Sequence, residues 1–214
     1  MNEPPQRIKA IETRYAGCRF RSRLEARYAV LFDTLGITWQ YEPQGFKVGG
    51  VNGSPERYYL PDFYLPNPGI WVEVKGSEDA LDVELMIDAA TPGFGLPRDP
   101  DGTPYVDSTR NGPKLLILGP LPDVQNGYCS HWAIWFHKGD YSQNRALLLG
   151  GAGLQVDIAP GGRKFACDSG ERWHTRHPFT RAVVGQPDTS SSHQLTQAYI
   201  AARSARFEHG ERGR

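Results

Sequence analysis

Residues 70–75, Ile-Trp-Val-Glu-Val-Lys, send alternate side chains to opposite faces, and they follow a turn, Pro66-Asn67-Pro68-Gly69, that closes a second apolar and aromatic run over 58–65. A period of two marks a strand, and two strands joined by so short a loop form an antiparallel hairpin. In the second arm Ile70, Val72 and Val74 share one face and can enter a core, while Glu73 and Lys75 share the other. Asp62 lies on the first arm. The hairpin therefore carries two carboxylates and one ammonium toward one end of a rigid sheet.

The flanking segments extend this pattern. Leu24, Tyr28, Leu31, Phe32 and Leu35 recur at helical spacing over 22–35, and Gly36 follows as a stop signal. Residues 37–41 read as a short strand, 42–55 as a Gly-rich connection and 58–65 as one strand. Residues 77–90 read as a helix with Ser77 as its cap and Leu81, Leu85 and Ala89 on one side. Residues 91–113 are rich in Pro, Gly and Asp and predict a long loop. The run 114–119, Lys-Leu-Leu-Ile-Leu-Gly, predicts a central strand buried on both faces. Further on, 131–137 and 145–149 are candidate strands of another hairpin around the turn-like 138–144. Residues 161–192 show no usable periodicity. A terminal helix is expected over 192–208, with Leu195, Ala198, Tyr199 and Ala202 on one stripe and Arg203 and Arg206 off it. Helices and strands that alternate in this way predict an α/β (α+β) class. At 214 residues the chain is one domain or one domain with an appendage, divided here as 1–120 and 121–214.

Composition removes several classes. Cys18, Cys129 and Cys167 form no Cys-x-x-Cys pair, so neither a disulfide framework nor a standard zinc knuckle is indicated. Cys129, His131, Cys167, His174 and His177 are the residues from which a structural zinc site would have to be built, but their spacings match no zinc pattern. No apolar run reaches the roughly 18 residues of a membrane helix, and the polar, Pro-rich start is unlike a signal peptide. The expectation is a reduced, cytoplasmic protein away from membranes. The 24 basic and 24 acidic residues cancel, yet they are segregated. Residues 1–27 hold seven basic and three acidic groups and 163–214 hold nine and five, leaving an acidic middle. Acidic centres suit cations and basic arms suit phosphates, although solvated surfaces also segregate charge.

Hard oxygen ligands beside a lysine are what phosphodiester hydrolysis requires. The carboxylates hold Mg²⁺, the metal generates hydroxide and neutralises developing charge, and the ammonium positions the nucleophile or stabilises that charge.

Here the residues acquire a likeness. Tyr59-Leu60-Pro61-Asp62-Phe63 followed by Trp71-Val72-Glu73-Val74-Lys75-Gly76 resembles the PD-(D/E)XK nuclease superfamily, and 20–36 resembles the opening helix of its phage-borne, transposon-associated and junction-resolving branches. The likeness covers 19–119, about half the chain. It implies a restriction-endonuclease-like αβββαβ core with a mixed central sheet flanked by helices, followed by a C-terminal extension with extra strands and a terminal helix. It also implies a Mg²⁺-dependent endonuclease, with Mn²⁺ as substitute, in which Asp62, Glu73 and the carbonyl of Val74 ligate the metal. Lys75 is then catalytic, and Glu25 is auxiliary in catalysis and in the metal shell. The partner implied is DNA, with RNA left open, and a homodimer and a phage origin fit the same branches.

Each residue also has a plainer reading. Ser22-x-x-Glu25 is a capping box. Glu73 and Lys75 can be solvated residues of an amphipathic strand, and Asp62 a polar residue at a strand edge. Arg14, Arg19, Arg21, Arg23 and Arg27 suit phosphates or a solvated helix entrance equally. Trp71 and Tyr64 suit base stacking less well than packing. The competing function is a non-cleaving nucleic-acid-binding or assembly protein on a nuclease scaffold.

Overall fold

The computed structural model describes residues 11–50, 53–66, 69–77, 80–91, 93–104, 114–121, 129–132, 155–158, 165–166, 172–173 and 191–207. A hairpin that the sequence did not announce opens it: β1 (Thr13–Tyr15) pairs antiparallel with β2 (Cys18–Phe20). Its two-residue turn, Ala16-Gly17, has positive φ at both positions, 47° and 83°. That left-handed geometry matches the strand twist, and because Ala16, which adopts it reluctantly, stands where Asn is usual, the segment carries no Asn-Gly signal.

Helix α1 (Arg23–Thr34) begins where the spacing placed it, because the Ser22 side chain accepts the Glu25 N–H, and it stops at Leu35 before Gly36 with φ 68°. The next strand is shorter than 37–41. Ile37 N–H bonds back to the Phe32 carbonyl at 2.8 Å, so extended pairing starts only at β3 (Gln40–Tyr41).

The expectation of one strand over 58–65 is corrected. β4 (Phe46–Val48), inside the supposed Gly-rich connection, pairs with β5 (Arg57–Tyr59) in a separate ribbon. The chain then breaks at Leu60-Pro61-Asp62, where Pro61 supplies no ladder donor, and resumes as β6 (Phe63–Leu65) in the main sheet. β6 pairs antiparallel with both β3 and β7 (Ile70–Val74). Helix α2 (Val83–Ala90) starts later than 77 because Asp82, whose side chain accepts the Leu85 N–H, caps it in place of Ser77. β8 (Lys114–Leu118) then runs parallel to β7. Among the described residues the mixed sheet has the order β3-β6-β7-β8, with β8 at its end. Leu115, Leu116, Ile117 and Leu118 of β8 are apolar because both faces of the strand are covered, Leu116 and Leu118 entering one core and Leu115 and Ile117 the other.

Two cores result. Phe63, Leu65, Ile70, Val72, Val74, Leu116 and Leu118 face α1 and helix α3 (Ser191–Ser204). Tyr64, Trp71, Leu115 and Ile117 face α2 and the β4-β5 ribbon. Trp71 is fully buried and its indole N–H donates to the Pro97 carbonyl at 2.7 Å, so it packs and does not await a base. In α3 the expected stripe is buried at Ala198, Tyr199 and Ala202.

Beyond the sheet, β9 (Cys129–Trp132) pairs antiparallel with β10 (Gln155–Ile158), and β11 (Phe165–Ala166) with β12 (Arg172–Trp173). The candidate strand 145–149 lies outside the described residues, as do Cys167, His174 and His177 of the weighed zinc set, while Cys129 and His131 fall on β9. Among the described residues no helix is long and apolar enough to cross a membrane.

Candidate active site

The break after β5 positions the site. In the β6-β7 ladder Phe63 opposes Val72. Asp62 immediately precedes β6, and its side chain accepts the Val74 N–H, which brings its carboxylate to the end of β7 that carries Glu73. Both are almost inaccessible, Asp62 at 2% and Glu73 at 4% exposure. Buried charges at this proximity require partners, and each oxygen has one.

Asp62 Oδ2 accepts the Val74 N–H at 2.7 Å, and Oδ1 accepts the Arg21 guanidinium at 2.7 Å. Glu73 Oε2 accepts the Tyr59 hydroxyl at 2.7 Å, and Oε1 contacts Lys75 Nζ at 2.5 Å. Burial first, and then the repulsion of Glu73, push the Asp62 carboxyl from 3.8 up to about 7. Glu25 adds to the rise, while the Val74 N–H and Arg21 oppose it. The Tyr59 phenol is raised well above its ordinary value by burial and then by Glu73, so it remains a donor.

Glu25 belongs to the same neighbourhood through the field that it exerts on Asp62, but its oxygens are spoken for. Oε1 accepts the Ser22 hydroxyl at 2.7 Å; Oε2 accepts the Tyr41 hydroxyl at 2.6 Å and the Arg21 N–H at 3.1 Å. The capping reading thus holds in a form that reaches one residue further back than the standard box. Burial, followed by the bond to Glu25, raises the Tyr41 phenol.

The basic cluster divides. Arg21 turns inward, with Nη2 on Asp62 and Nε 2.5 Å from Glu42 Oε1. Arg19 pairs with Glu12 at the surface. Arg23 and Arg27, four residues apart on α1, have no ion pair among the described residues. Three residues without a role in the sequence reading therefore belong to the site: Tyr59, Tyr41 and Glu42. Tyr59 reaches Glu73 from a strand of a different sheet, and Glu42 sits at φ 43° with its N–H on the Asp62 carbonyl at 2.9 Å. No local pattern announces such contacts.

Among the described residues no three His, Cys, Asp or Glu side chains converge as a ready-made metal cage. What converges is the pair Asp62 and Glu73, with Val74 between Glu73 and Lys75 on β7. The donor chemistry suits a hard divalent cation: carboxylate oxygens, mutually repelling, whose counter-charges among the described residues are one guanidinium and one ammonium.

No family model and no solved structure matches the chain. One curated protein is similar to it, Endonuclease I of Escherichia phage T7, which is 44% identical over 57 residues. Those residues are 27% of this chain and 36% of that protein, so the chain spans little more than a third of its relative's length. The likeness supports a nuclease of phage type among the relatives of this mixed α/β chain.

Proposed function

We propose that the chain is a metal-dependent endonuclease of the PD-(D/E)XK superfamily that hydrolyses phosphodiester bonds in DNA. The observation that carries this reading is the pairing of two buried carboxylates, Asp62 and Glu73, across one hairpin end with Lys75 in contact with the second. Partial identity to a phage endonuclease supports it, as does the run of α1, three antiparallel strands, α2 and a parallel fourth strand, which fits a restriction-endonuclease-like core. Asp62 and Glu73, with the Val74 carbonyl, would hold Mg²⁺ or Mn²⁺, and Glu25 backs them.

When bound, the metal supplies an acidified water and neutralises charge building on the phosphate. The residues of the chain do the rest. Tyr59 and the Val74 N–H fix the two carboxylates in orientation, so their oxygens need not reorganise during the reaction. Lys75 holds an ammonium beside the Glu73 oxygen, where it can orient the attacking water and balance charge on the phosphate. Arg23 and Arg27, free of ion pairs among the described residues, suit the flanking backbone phosphates.

The test is incubation of purified protein with plasmid, single-stranded and branched DNA and with RNA, in Mg²⁺ or EDTA. Cleavage that needs the metal and disappears in Glu73→Ala is expected. A Glu73→Ala protein that cuts at the wild-type rate refutes the assignment, and binding without any cleavage by wild type points to a scaffold that has lost its chemistry.

A further inference from the structure

The guanidinium of Arg21 bridges two carboxylates, with Nη2 2.7 Å from Asp62 Oδ1 and Nε 2.5 Å from Glu42 Oε1. Asp62 is buried at the inner end of this bridge, and Glu42 is partly exposed at the outer end, its side chain 24% accessible. Arg21 itself is more than half exposed, at 58%. Its backbone is pinned, since its N–H is shared between Glu25 Oε2 at 3.1 Å and the Tyr41 hydroxyl at 3.0 Å. The peptide that carries the guanidinium is therefore fixed to the same carboxylate cluster, while the side chain remains free to leave it.

We infer that Arg21 is an internal counter-ion that occupies the Asp62 carboxylate in place of the divalent cation, so that metal loading and the Arg21–Asp62 contact are mutually exclusive. This rests on the proposed metal site. Asp62 Oδ2 accepts the Val74 N–H, and Arg21 sits on Oδ1, so a cation that approaches Oδ1 meets the guanidinium already there. Two cations cannot share one oxygen without repulsion. Glu42 gives the guanidinium a place to stay when Asp62 is taken. The backbone N–H of Glu42 bonds to the Asp62 carbonyl, which keeps that second anchor beside the first. An arginine suits the role because its extended, delocalised charge reaches both acids at once, hydrogen-bonded to Asp62 through Nη2 and ion-paired with Glu42 through Nε, whose Oε1 accepts no hydrogen bond among the described residues.

The arrangement makes the site selective in time. Without metal the buried acids stay compensated and the chain stays folded; with metal the guanidinium is released at the rim, where a phosphate of the substrate is its natural partner.

The test is Mn²⁺ titration of the full chain by calorimetry, with no nucleic acid present, on wild type and Arg21→Gln, alongside thermal unfolding with and without Mn²⁺. Arg21→Gln should bind Mn²⁺ roughly tenfold more tightly, a change of about 1.4 kcal/mol. It should also unfold at lower temperature than wild type in EDTA and regain more on metal addition. Equal or weaker Mn²⁺ binding by the variant overturns the inference and leaves the metal site standing. A wild type that binds no Mn²⁺ overturns both. Should Arg21→Gln fail to fold, the Arg21 Nε–H resonance of wild type supplies the same answer: it should move on titration with diamagnetic Mg²⁺, and a resonance that stays in place rejects displacement.

Discussion

The Tyr59 hydroxyl donates to Glu73 Oε2 at 2.7 Å across two sheets, from β5 in the ribbon to β7 in the mixed sheet, with both side chains buried. This bond makes the orientation of Glu73 depend on the packing of the ribbon against α2. Tyr59→Phe keeps the ring and deletes the donor, leaving a buried carboxylate oxygen unsatisfied. The expected cost is about 1–3 kcal/mol in chemical denaturation at neutral pH, with cleavage slowed because Glu73 can rotate. A Phe variant as stable and as active as wild type shows that the bond is incidental.

The raised Asp62 carboxyl ties stability to pH. Its folded value of about 7 exceeds the 3.8 of the unfolded chain. Well below pH 3.8 both states are protonated and no penalty arises. As pH rises toward 7 the unfolded chain releases its proton and the folded chain resists, so this contribution is lost and is smallest above 7. Asp62→Asn removes the titration. In EDTA the stability of the variant minus that of wild type should therefore grow between pH 4 and pH 7, by on the order of a few kcal/mol. A difference that is flat across that window rules the coupling out.

What the sequence disclosed and what it withheld follow a physical line. The hairpin, α1, α2 and the buried strand were legible because each announces itself by local periodicity or a cap, and with them came the grouping of Asp62, Glu73 and Lys75 at one end of a sheet. The β4-β5 ribbon was not legible, because Phe46–Val48 is three residues long inside a Gly-rich stretch and its partner reads continuously into β6. Only Pro61 marks the break, and a proline at a strand start looks the same. The place of β8 in the strand order is not legible either, because an apolar run reports covered faces and not which strands lie beside it. Glu42 and Tyr59 stayed silent because their contacts join segments distant in the chain, and Arg21 gave no sign that it points inward while Arg19 points out.

Capping and catalysis at Glu25 can be separated by substitution. Ser22→Ala removes both the acceptor of the Glu25 N–H and the hydroxyl donor to Glu25 Oε1, and should cost roughly 1–2 kcal/mol. Glu25→Gln keeps an oxygen for the Tyr41 hydroxyl and the Arg21 N–H, and glutamine serves a capping box as well as glutamate does. Its stability should stay within about 0.5 kcal/mol of wild type. If Glu25 also supports the metal, cleavage by the Gln variant should fall and higher Mg²⁺ should restore part of it. Full activity at all Mg²⁺ levels assigns Glu25 to the helix alone.

Lys75 has two duties that one substitution distinguishes. Its Nζ lies 2.5 Å from Glu73 Oε1 and its side chain is 30% exposed, so it neutralises Glu73 while remaining open to the solvent from which an attacking water would come. Lys75→Met keeps the length of the stem and removes the charge. As a counter-ion, Lys75 competes with a divalent cation, and its loss should leave Mn²⁺ affinity unchanged or raised. As a catalytic group, it stabilises charge that appears only as the phosphate is attacked, and its loss should slow cleavage at saturating metal by roughly 10²–10³. Slower cleavage without weaker Mn²⁺ binding marks the catalytic duty. A Lys75→Met protein that binds Mn²⁺ poorly and recovers its cleavage rate at high metal would show that the ammonium serves only to hold Glu73 in place.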